Sequence, residues 1–309
     1  ALKSFRFANR AMWQQRIHST FARKVRKKEL KIEDGVAIIP TGTDKQVAPV
    51  PGSDVKLTID RDLQYVAQSA IAKQVEAAQA QSGSVVLMEA KTGRILAMAS
   101  VPTIDPNSPG TSTPADQQNR SVVEAFEPGS TSKVMTMAAV INEGKGTPAT
   151  AFTVPDTIRR AGRSFSDHDS HETWRLTLAG VLAKSSNTGT IQAAELIGPD
   201  KLYEYLKRFG VGQVTGLGFP GEGSGYVPPV KDWSGSSFPT IAFGQGLSMS
   251  ALQAASVYQT LGNGGQRITP QLVDSYIDND GHVTHPKAPD TRQVVTPETA
   301  KQVVEMMEE

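Results

Sequence analysis

A serine and a lysine three residues apart, Ser130 and Lys133, are the residues of this sequence best suited to covalent chemistry. A serine hydroxyl is a weak nucleophile until a base removes its proton, and a lysine of lowered pKa can be that base. Pro128 suits the first turn of a helix, where residues three apart share a face and backbone amides favour negative charge. The segment 127–133, EPGSTSK, therefore predicts a nucleophile and its base at the start of a helix.

The Ser-x-x-Lys pattern occurs by chance in many chains, so by itself it favours a structural serine. A second motif, Ser-Ser-Asn at 185–187, follows another short apolar segment. Together with a Lys-Thr-Gly tripeptide, the two motifs form a known catalytic set of serine enzymes. The sequence contains this tripeptide at 91–93, between two strand-like runs. We interpret that copy as a hairpin turn with an exposed lysine, and not as the third catalytic motif.

The hydrophobic pattern predicts the elements that must position these motifs. From Lys133 an apolar run to Gly144 predicts a helix that is buried in the middle of a domain. Short strands are predicted at 55–59 and, as a hairpin with Gly93 in its turn, at 84–88 and 94–99. Further helices are predicted from Asp60 to Gly83, at 177–184, 188–197, 200–209 and 250–261, and from Thr296 onward.

Three stretches lack strong periodicity: residues 102–116 are predicted to be a long surface loop, 145–175 mostly irregular, and 210–248 glycine-rich turns with short extended pieces. The second stretch carries four potential metal ligands, which are Asp167, His168, Asp169 and His171. Their spacing matches no metal template, so we interpret them as a polar loop rather than a metal site.

Composition limits the class of protein. A chain of 309 residues can hold one large domain, or one domain with an appendage. There is no cysteine, which excludes disulfides and cysteine-based metal sites. The net charge is only +1, but basic residues crowd the first thirty-one positions. We interpret this basic run as a solvated helix face or linker rather than a site for nucleic acid or membrane. No apolar run of the sequence is long enough to span a bilayer.

Several segments in a fixed order carry a family resemblance: LTIDRDLQ, TGRILAMASVPTIDPN, NRSVVEAFEPGSTSK, LAKSSNTGTIQ, FGVGQVTGLGFPGEGSGYVPP and FGQGLSMSALQAASVYQTLGNGG. With them the chain resembles the class B penicillin-binding proteins, which are monofunctional peptidoglycan D,D-transpeptidases. The resemblance covers about residue 50 to the C-terminus. The Ser-Ser-Asn motif and the glycine-rich stretch are more similar to the septal, cell-division type than to the elongation type.

The resemblance implies an α+β fold of the penicillin-binding protein and serine β-lactamase type. In this fold an antiparallel sheet is flanked by helices, and a helical subdomain completes the active-site cleft. We expect residues 1–50 to be a remnant of an N-terminal pedestal or linker region, and 51–309 to be the transpeptidase domain, truncated before the Lys-Thr-Gly strand. We therefore expect the sequence to be part of a longer protein with a single-pass anchor in the bacterial cytoplasmic membrane and an extracytoplasmic catalytic domain.

The resemblance also implies a role for each motif residue. Ser130 would be the acylated nucleophile, and Lys133 would take its proton. Ser185 would pass a proton to the leaving amine, while Asn187 would hold the peptide substrate and orient Lys133. Lys184 is one local positive charge near the base, although an outward-facing surface lysine is the favoured interpretation. Family members usually have a bulkier residue at the position of Ser132.

The implied function is cross-linking of peptidoglycan stem peptides in septal cell-wall synthesis. The donor would be a peptide ending in D-Ala-D-Ala, and β-lactams would trap Ser130 as an ester. The implied partners are a polytopic membrane glycosyltransferase and other division proteins, with no nucleic acid, metal or cofactor. Two alternatives stay open: a structural subunit of the division complex with an unassembled site, and a penicillin-hydrolysing or penicillin-sensing relative.

Overall fold

The computed structural model describes residues 52–105, 107–113 and 116–308. The predicted pedestal remnant at 1–50 lies outside these residues, so the boundary at residue 50 stays a prediction. The chain divides into two compact units. Of the described residues, one unit comprises 52–56, 103–105, 107–113, 116–118 and 274–286, and the other comprises 57–102, 119–273 and 287–308. Every residue of the predicted site belongs to the second unit.

The strands are β1 (Asp54–Leu57), β2 (Gly83–Met88), β3 (Ile95–Val101), β4 (Ala125–Phe126), β5 (Ala151–Val154), β6 (Thr157–Arg160), β7 (Arg163–Ser166), β8 (Trp174–Thr177), β9 (Met249–Ser250), β10 (Gln266–Ile268), β11 (Val273–Ile277), β12 (Val283–Thr284) and β13 (Thr291–Gln293). The helices are α1 (Arg61–Ala77), α2 (Arg120–Val123), α3 (Lys133–Asn142), α4 (Leu178–Ala183), α5 (Asn187–Glu195), α6 (Gly198–Phe209), α7 (Ser237–Ala242), α8 (Ala251–Gly262) and α9 (Pro297–Met306).

The predicted hairpin is confirmed. Strands β2 and β3 pair antiparallel, with Val85 opposite Ala99. Gly93 lies in the turn with φ of 72°, a left-handed conformation that glycine adopts without strain. Lys91 in the same turn is exposed, as the structural interpretation of this tripeptide requires. In the first unit, β1, β11 and β12 form a three-stranded sheet in the order β1-β11-β12.

Helix α1 begins as predicted but ends earlier. The side chain of Asp60 accepts hydrogen bonds from the backbone amides of Asp62 and Leu63, both at 2.9 Å, and so caps the helix. The helix ends at Ala77 and not at Gly83, so the predicted end is wrong. Gly83 instead begins β2, where a Cβ atom would lie 2.6 Å from a methyl carbon of Val75. The glycine serves close helix–sheet packing rather than helix termination.

The predicted central helix is confirmed as the core of the second unit. Nine consecutive residues of α3, from Lys133 to Ile141, are buried. This helix packs against α5, α6 and α9. The predicted apolar face of α6 is buried too, and consists of Leu202, Tyr205, Leu206 and Phe209. Burying each such apolar side chain stabilises the fold by about 1.5–3 kcal/mol. The packing of these helices therefore fixes the position of the residues at the start of α3.

The stretch 145–175 was predicted to be mostly irregular, and this is wrong. It contains two antiparallel pairs, β5 with β8 and β6 with β7. Each of the four strands has only four residues, too few to give a clear alternating pattern. The turn between β6 and β7 is Ala161-Gly162, both with positive φ, and lacks the Asn-Gly or Asp-Gly pair that signals a hairpin. Helix α7 was likewise missed within the glycine-rich stretch 210–248.

Candidate active site

Ser130 lies in a tight turn that leads directly into α3. Gly129–Ser132 form one turn of 3-10 helix, and Gly129 has φ of 54°. The Ser132 hydroxyl donates to the Gly129 carbonyl at 2.8 Å, and the Thr131 hydroxyl donates to the Pro128 carbonyl at 2.8 Å. The side chain of Ser130 has no part in these bonds and is exposed. The turn therefore presents the candidate nucleophile at the surface, one turn before Lys133.

A second segment, residues 242–246, packs against this turn and is hydrogen-bonded to it. The Gly129 amide donates to the Gly244 carbonyl at 2.9 Å, and the Gly246 amide donates to the Glu127 carboxylate at 2.9 Å. A Cβ atom at Gly244 would lie 2.1 Å from the Gly129 carbonyl oxygen and 2.2 Å from the Ser132 hydroxyl. Gly244 therefore packs directly against Gly129 and Ser132. The segment FGQG at 243–246 belongs to the family resemblance, but no role was predicted for its glycines.

Lys133 is completely buried, and its ammonium group contacts Ser185. Its Nζ atom donates to the backbone carbonyl of Ser185 and lies 3.2 Å from the Ser185 hydroxyl. Burial lowers the pKa of Lys133 to about 8, and the negative charge of Asp167 opposes this shift. At that pKa about a tenth of the lysine is neutral at pH 7, against a few parts in ten thousand for an ordinary lysine.

Ser185 stands at the junction between α4 and α5 in a strained backbone conformation. Its φ of 51° is left-handed, which is uncommon for residues other than glycine. The turn is held by bonds from the Ser185 amide to the Leu182 carbonyl at 2.9 Å and from the Ser186 amide to the Val181 carbonyl at 3.0 Å. Ser186 then caps α5 through a bond from the Gly189 amide at 2.9 Å. Strain of this kind is found at functional sites.

Asn187, the first residue of α5, is anchored by the end of β7. Its side-chain amide donates to the Ser166 carbonyl at 3.0 Å, and its backbone amide donates to the Asp167 carboxylate at 2.5 Å. The described hydrogen bonds of the Lys133 ammonium go to Ser185, so the predicted orientation of Lys133 by Asn187 stays a prediction. The contact between Asp167 and Asn187 was not predicted, because it joins residues 20 positions apart.

Ser130, Ser185 and Asn187 line one cavity of about 460 Å³. Its other lining residues are Gly129, Asp167, His168, Asp169, Trp174, Lys184, Phe243 and Gln245. The volume lies in the range of cavities that bind small molecules and peptide ends. An exposed serine, a buried lysine of lowered pKa and a second serine in contact with that lysine can together support acyl transfer through a covalent ester.

The four potential metal ligands of the loop 167–171 do not converge. In the part of the chain that the structure describes, only Asp278, Asp280 and His282 bring three ligand atoms within 4.8 Å of one another. These three are exposed and lie in the turn between β11 and β12. Asp167 and His171 instead bond to each other, with His171 Nε2 3.0 Å from a carboxylate oxygen of Asp167.

The sequence of this chain matches those of known proteins. The family described as "Penicillin binding protein transpeptidase domain" matches residues 83–309. The chain is 44% identical over 270 residues to penicillin-binding protein PbpB of Mycolicibacterium smegmatis, covering 87% of this chain and 41% of PbpB. It is 36% identical over 226 residues to peptidoglycan D,D-transpeptidase FtsI of Escherichia coli, covering 73% of this chain and 37% of FtsI.

Solved structures show the same fold. The crystal structure of penicillin-binding protein 3 from Mycobacterium tuberculosis complexed with aztreonam superposes with a TM-score of 0.81 at 38% identity, covering 85% of this chain and 59% of that one. A structure of that protein complexed with ampicillin gives the same TM-score.

The chain belongs to the penicillin-binding protein transpeptidase family. The predicted resemblance to the class B proteins is confirmed by the names of the relatives, and the predicted α+β transpeptidase fold is confirmed by the superposed structures. The chain spans about two fifths of the length of these curated relatives. Among the described helices, none is both long enough and apolar enough to cross a membrane.

Proposed function

We propose that this chain is the catalytic part of a peptidoglycan D,D-transpeptidase that acts through an acyl-enzyme at Ser130. One observation carries the proposal: a fully buried Lys133 contacts Ser185 and lies one turn from the exposed Ser130, and the two serines line the same cavity. The family assignment and the relatives named D,D-transpeptidases support the choice of reaction.

In the first half-reaction neutral Lys133 removes the Ser130 proton, and the serine oxygen attacks the carbonyl between the two D-alanines of a stem peptide. Backbone amides at the start of α3 favour the negative charge that develops on the carbonyl oxygen. The carbon–nitrogen bond then breaks. The leaving D-alanine amine takes a proton from Ser185, which regains one from the Lys133 ammonium.

In the second half-reaction the amine of a neighbouring stem peptide attacks the Ser130 ester. Its proton passes through Ser185 to Lys133, and Ser130 leaves as an alcohol with its proton restored. The net result is a new amide cross-link and a regenerated enzyme. A β-lactam enters the first half-reaction in the same way, but its leaving amine stays tethered to the acyl group, so the second half-reaction is slow.

The proposal includes the setting of the reaction. The Ser-Ser-Asn motif and the glycine-rich stretch support septal synthesis during cell division. We place the catalytic domain outside the cytoplasmic membrane, on a single-pass anchor, with a polytopic glycosyltransferase and other division proteins as partners. Fractionation of cells and cross-linking of the full-length protein in dividing cells test this setting, and recovery away from the membrane contradicts it.

The test of the reaction is intact mass of the full-length protein before and after incubation with ampicillin. The parent protein should gain one drug mass, and Ser130→Ala should gain none. Ser164→Ala, an exposed serine of β7, is the matched control and should label like the parent. An adduct that disappears within minutes would support the penicillin-hydrolysing alternative, and no adduct in the parent would support the structural-subunit alternative.

A further inference from the structure

We propose that Asp167 is a positioning residue of this site: its buried carboxylate, clamped by His171, holds the turn that presents Ser185 to Lys133. This inference rests on the proposed function, because it explains how the second serine is placed. It also gives a role to part of the polar loop at 167–171, which neither a metal site nor the reaction above uses.

The first support is the geometry of the Asp167 carboxylate. One oxygen accepts from the backbone amides of Asn187 at 2.5 Å and Thr188 at 2.9 Å, at the N-terminus of α5. Its side chain is only 6% exposed. A buried carboxylate that receives two amides at a helix start is a strong, directional contact. Since Ser185 lies two residues before Asn187, these bonds also restrain the left-handed turn at Ser185.

The second support is that His171 occupies the other carboxylate oxygen of Asp167, at 3.0 Å. The second ring nitrogen of His171 lies 2.6 Å from the Glu172 carbonyl oxygen. Because both nitrogens face acceptors, the ring is best satisfied when both are protonated. Burial lowers the pKa of His171, but the hydrogen bonds to the Glu172 carbonyl and to Asp167 outweigh it, so the net shift is upward.

Trp174 holds the imidazole in place. The His171 and Trp174 rings stack with centroids 3.4 Å apart and planes 7° from parallel. The Lys184 ammonium lies 5.9 Å from the Trp174 ring centroid, within range of a cation–π contact. Lys184 is exposed, as predicted. A chain of contacts runs from Lys184 through Trp174 and His171 to Asp167.

The charged groups around Asp167 define the expected pH behaviour. His171 contacts it directly, and Lys133 interacts with it electrostatically. The negative charge of Asp156 raises the pKa of His171. His168 and Asp169 follow Asp167 in the chain and line the same cavity. The negative charge of Asp167 raises the pKa of Lys133 against the larger effect of burial. Removing this charge should therefore lower the pKa of Lys133 further.

The test is Asp167→Asn in the full-length protein, with the acylation rate by a fluorescent penicillin measured from about pH 6 to about pH 9.5. The asparagine side chain keeps one oxygen that can accept from the backbone amides of Asn187 and Thr188. Its NH₂ group, however, faces the N–H of His171, and two donors cannot form a hydrogen bond, so the contact with His171 is lost. We expect an acylation rate about tenfold lower on the plateau, with the rising limb of the pH profile moved to lower pH. The rate is normalised to the active fraction, measured by drug titration.

Two further variants make the result specific. Asp200→Asn removes an exposed carboxylate at the start of α6, outside the site, and should leave both rate and profile unchanged. His171→Gln should lower the rate while keeping the Asp167 charge, so its rising limb should stay nearer to that of the parent.

A purely structural role of Asp167 would lower the thermal stability and the active fraction without moving the rising limb, and that result overturns the inference. Parent-like rate and profile in Asp167→Asn overturn it as well. The proposed function fails separately, if the parent protein forms no Ser130 adduct.

Discussion

Replacing Gly244 by alanine should damage the candidate nucleophile turn more than any other single methyl group added to this site. The new Cβ would lie 2.1 Å from the Gly129 carbonyl oxygen and 2.2 Å from the Ser132 hydroxyl, far inside van der Waals contact. Both neighbours are parts of the turn that carries Ser130, so the clash is relieved only by moving that turn. Gly244 also has φ of 91°, which strains any residue with a side chain.

The loss of stability in Gly244→Ala is the sum of two costs, the backbone strain and the steric clash. Left-handed strain costs about 1–2 kcal/mol, and overpacking of a close contact costs about 1–3 kcal/mol. We therefore expect a loss of about 2–5 kcal/mol in the free energy of unfolding, or a drop of about 5–15 °C in Tm. A displacement of the turn by about 1 Å would lower the acylation rate about a hundredfold.

The matched control is Gly246→Ala, two residues along the same segment. Gly246 also has a left-handed backbone, with φ of 77°, but its Cβ would lie no closer than 3.6 Å to another residue. This variant carries the strain without the clash, so it should lose about 1–2 kcal/mol and keep an acylation rate near that of the parent. Urea unfolding and the rate of penicillin labelling measure both quantities. If the two variants behave alike, close packing of Gly244 on the turn is not what positions Ser130.

Two other predictions concern the base and the second serine. The acylation rate should rise with pH through a midpoint near 8, because we propose neutral Lys133 as the base and burial lowers its pKa to about 8. A stopped-flow profile that is flat between about pH 7 and about pH 9 contradicts this proposed role. Ser185→Gly should be about 1 kcal/mol more stable than Ser185→Ala, because glycine relieves the backbone strain at φ of 51°. Both variants lose the hydroxyl and should therefore react slowly with penicillin. Urea unfolding compares their stabilities, and equal stability would argue against strain at Ser185.

Most of the longer helices were predictable because they carry local signals, whereas the short α2 and α7 were not predicted. Asp60 caps α1, Gly210 ends α6 with φ of 101°, and Ser250 forms a capping box with Gln253 at the start of α8. These signals involve neighbours in the sequence, and the tertiary structure does not have to be known to read them. The strands of 145–175 depend on pairing between distant residues, such as Phe152 with Leu176, which local propensity does not reveal.

The candidate site divides in the same way. Ser130 and Lys133 are close in sequence, and their relation follows from one turn of helix. The contact between Lys133 and Ser185 spans 52 positions. The family resemblance implied that both residues belong to one site, but the predicted partner of Lys133 was Asn187. The packing of Gly244 on the turn, and the anchoring of α5 by Asp167, come from segments that carry no catalytic motif. Such contacts are set by the three-dimensional approach of backbones, and a single sequence gives no sign of them.

Two opposing effects set the pKa of Lys133, which are its burial and the nearby carboxylate of Asp167. Burial lowers the pKa of Lys133, and a carboxylate with no other partners beside it would raise that pKa again and favour the protonated lysine. The Asp167 carboxylate is instead engaged by two backbone amides and by His171. These partners balance the charge of Asp167 locally. Its effect on the pKa of Lys133, which is upward, is smaller than the downward effect of burial. If the proposed roles hold, Asp167 can position Ser185 while the pKa of Lys133 stays near 8.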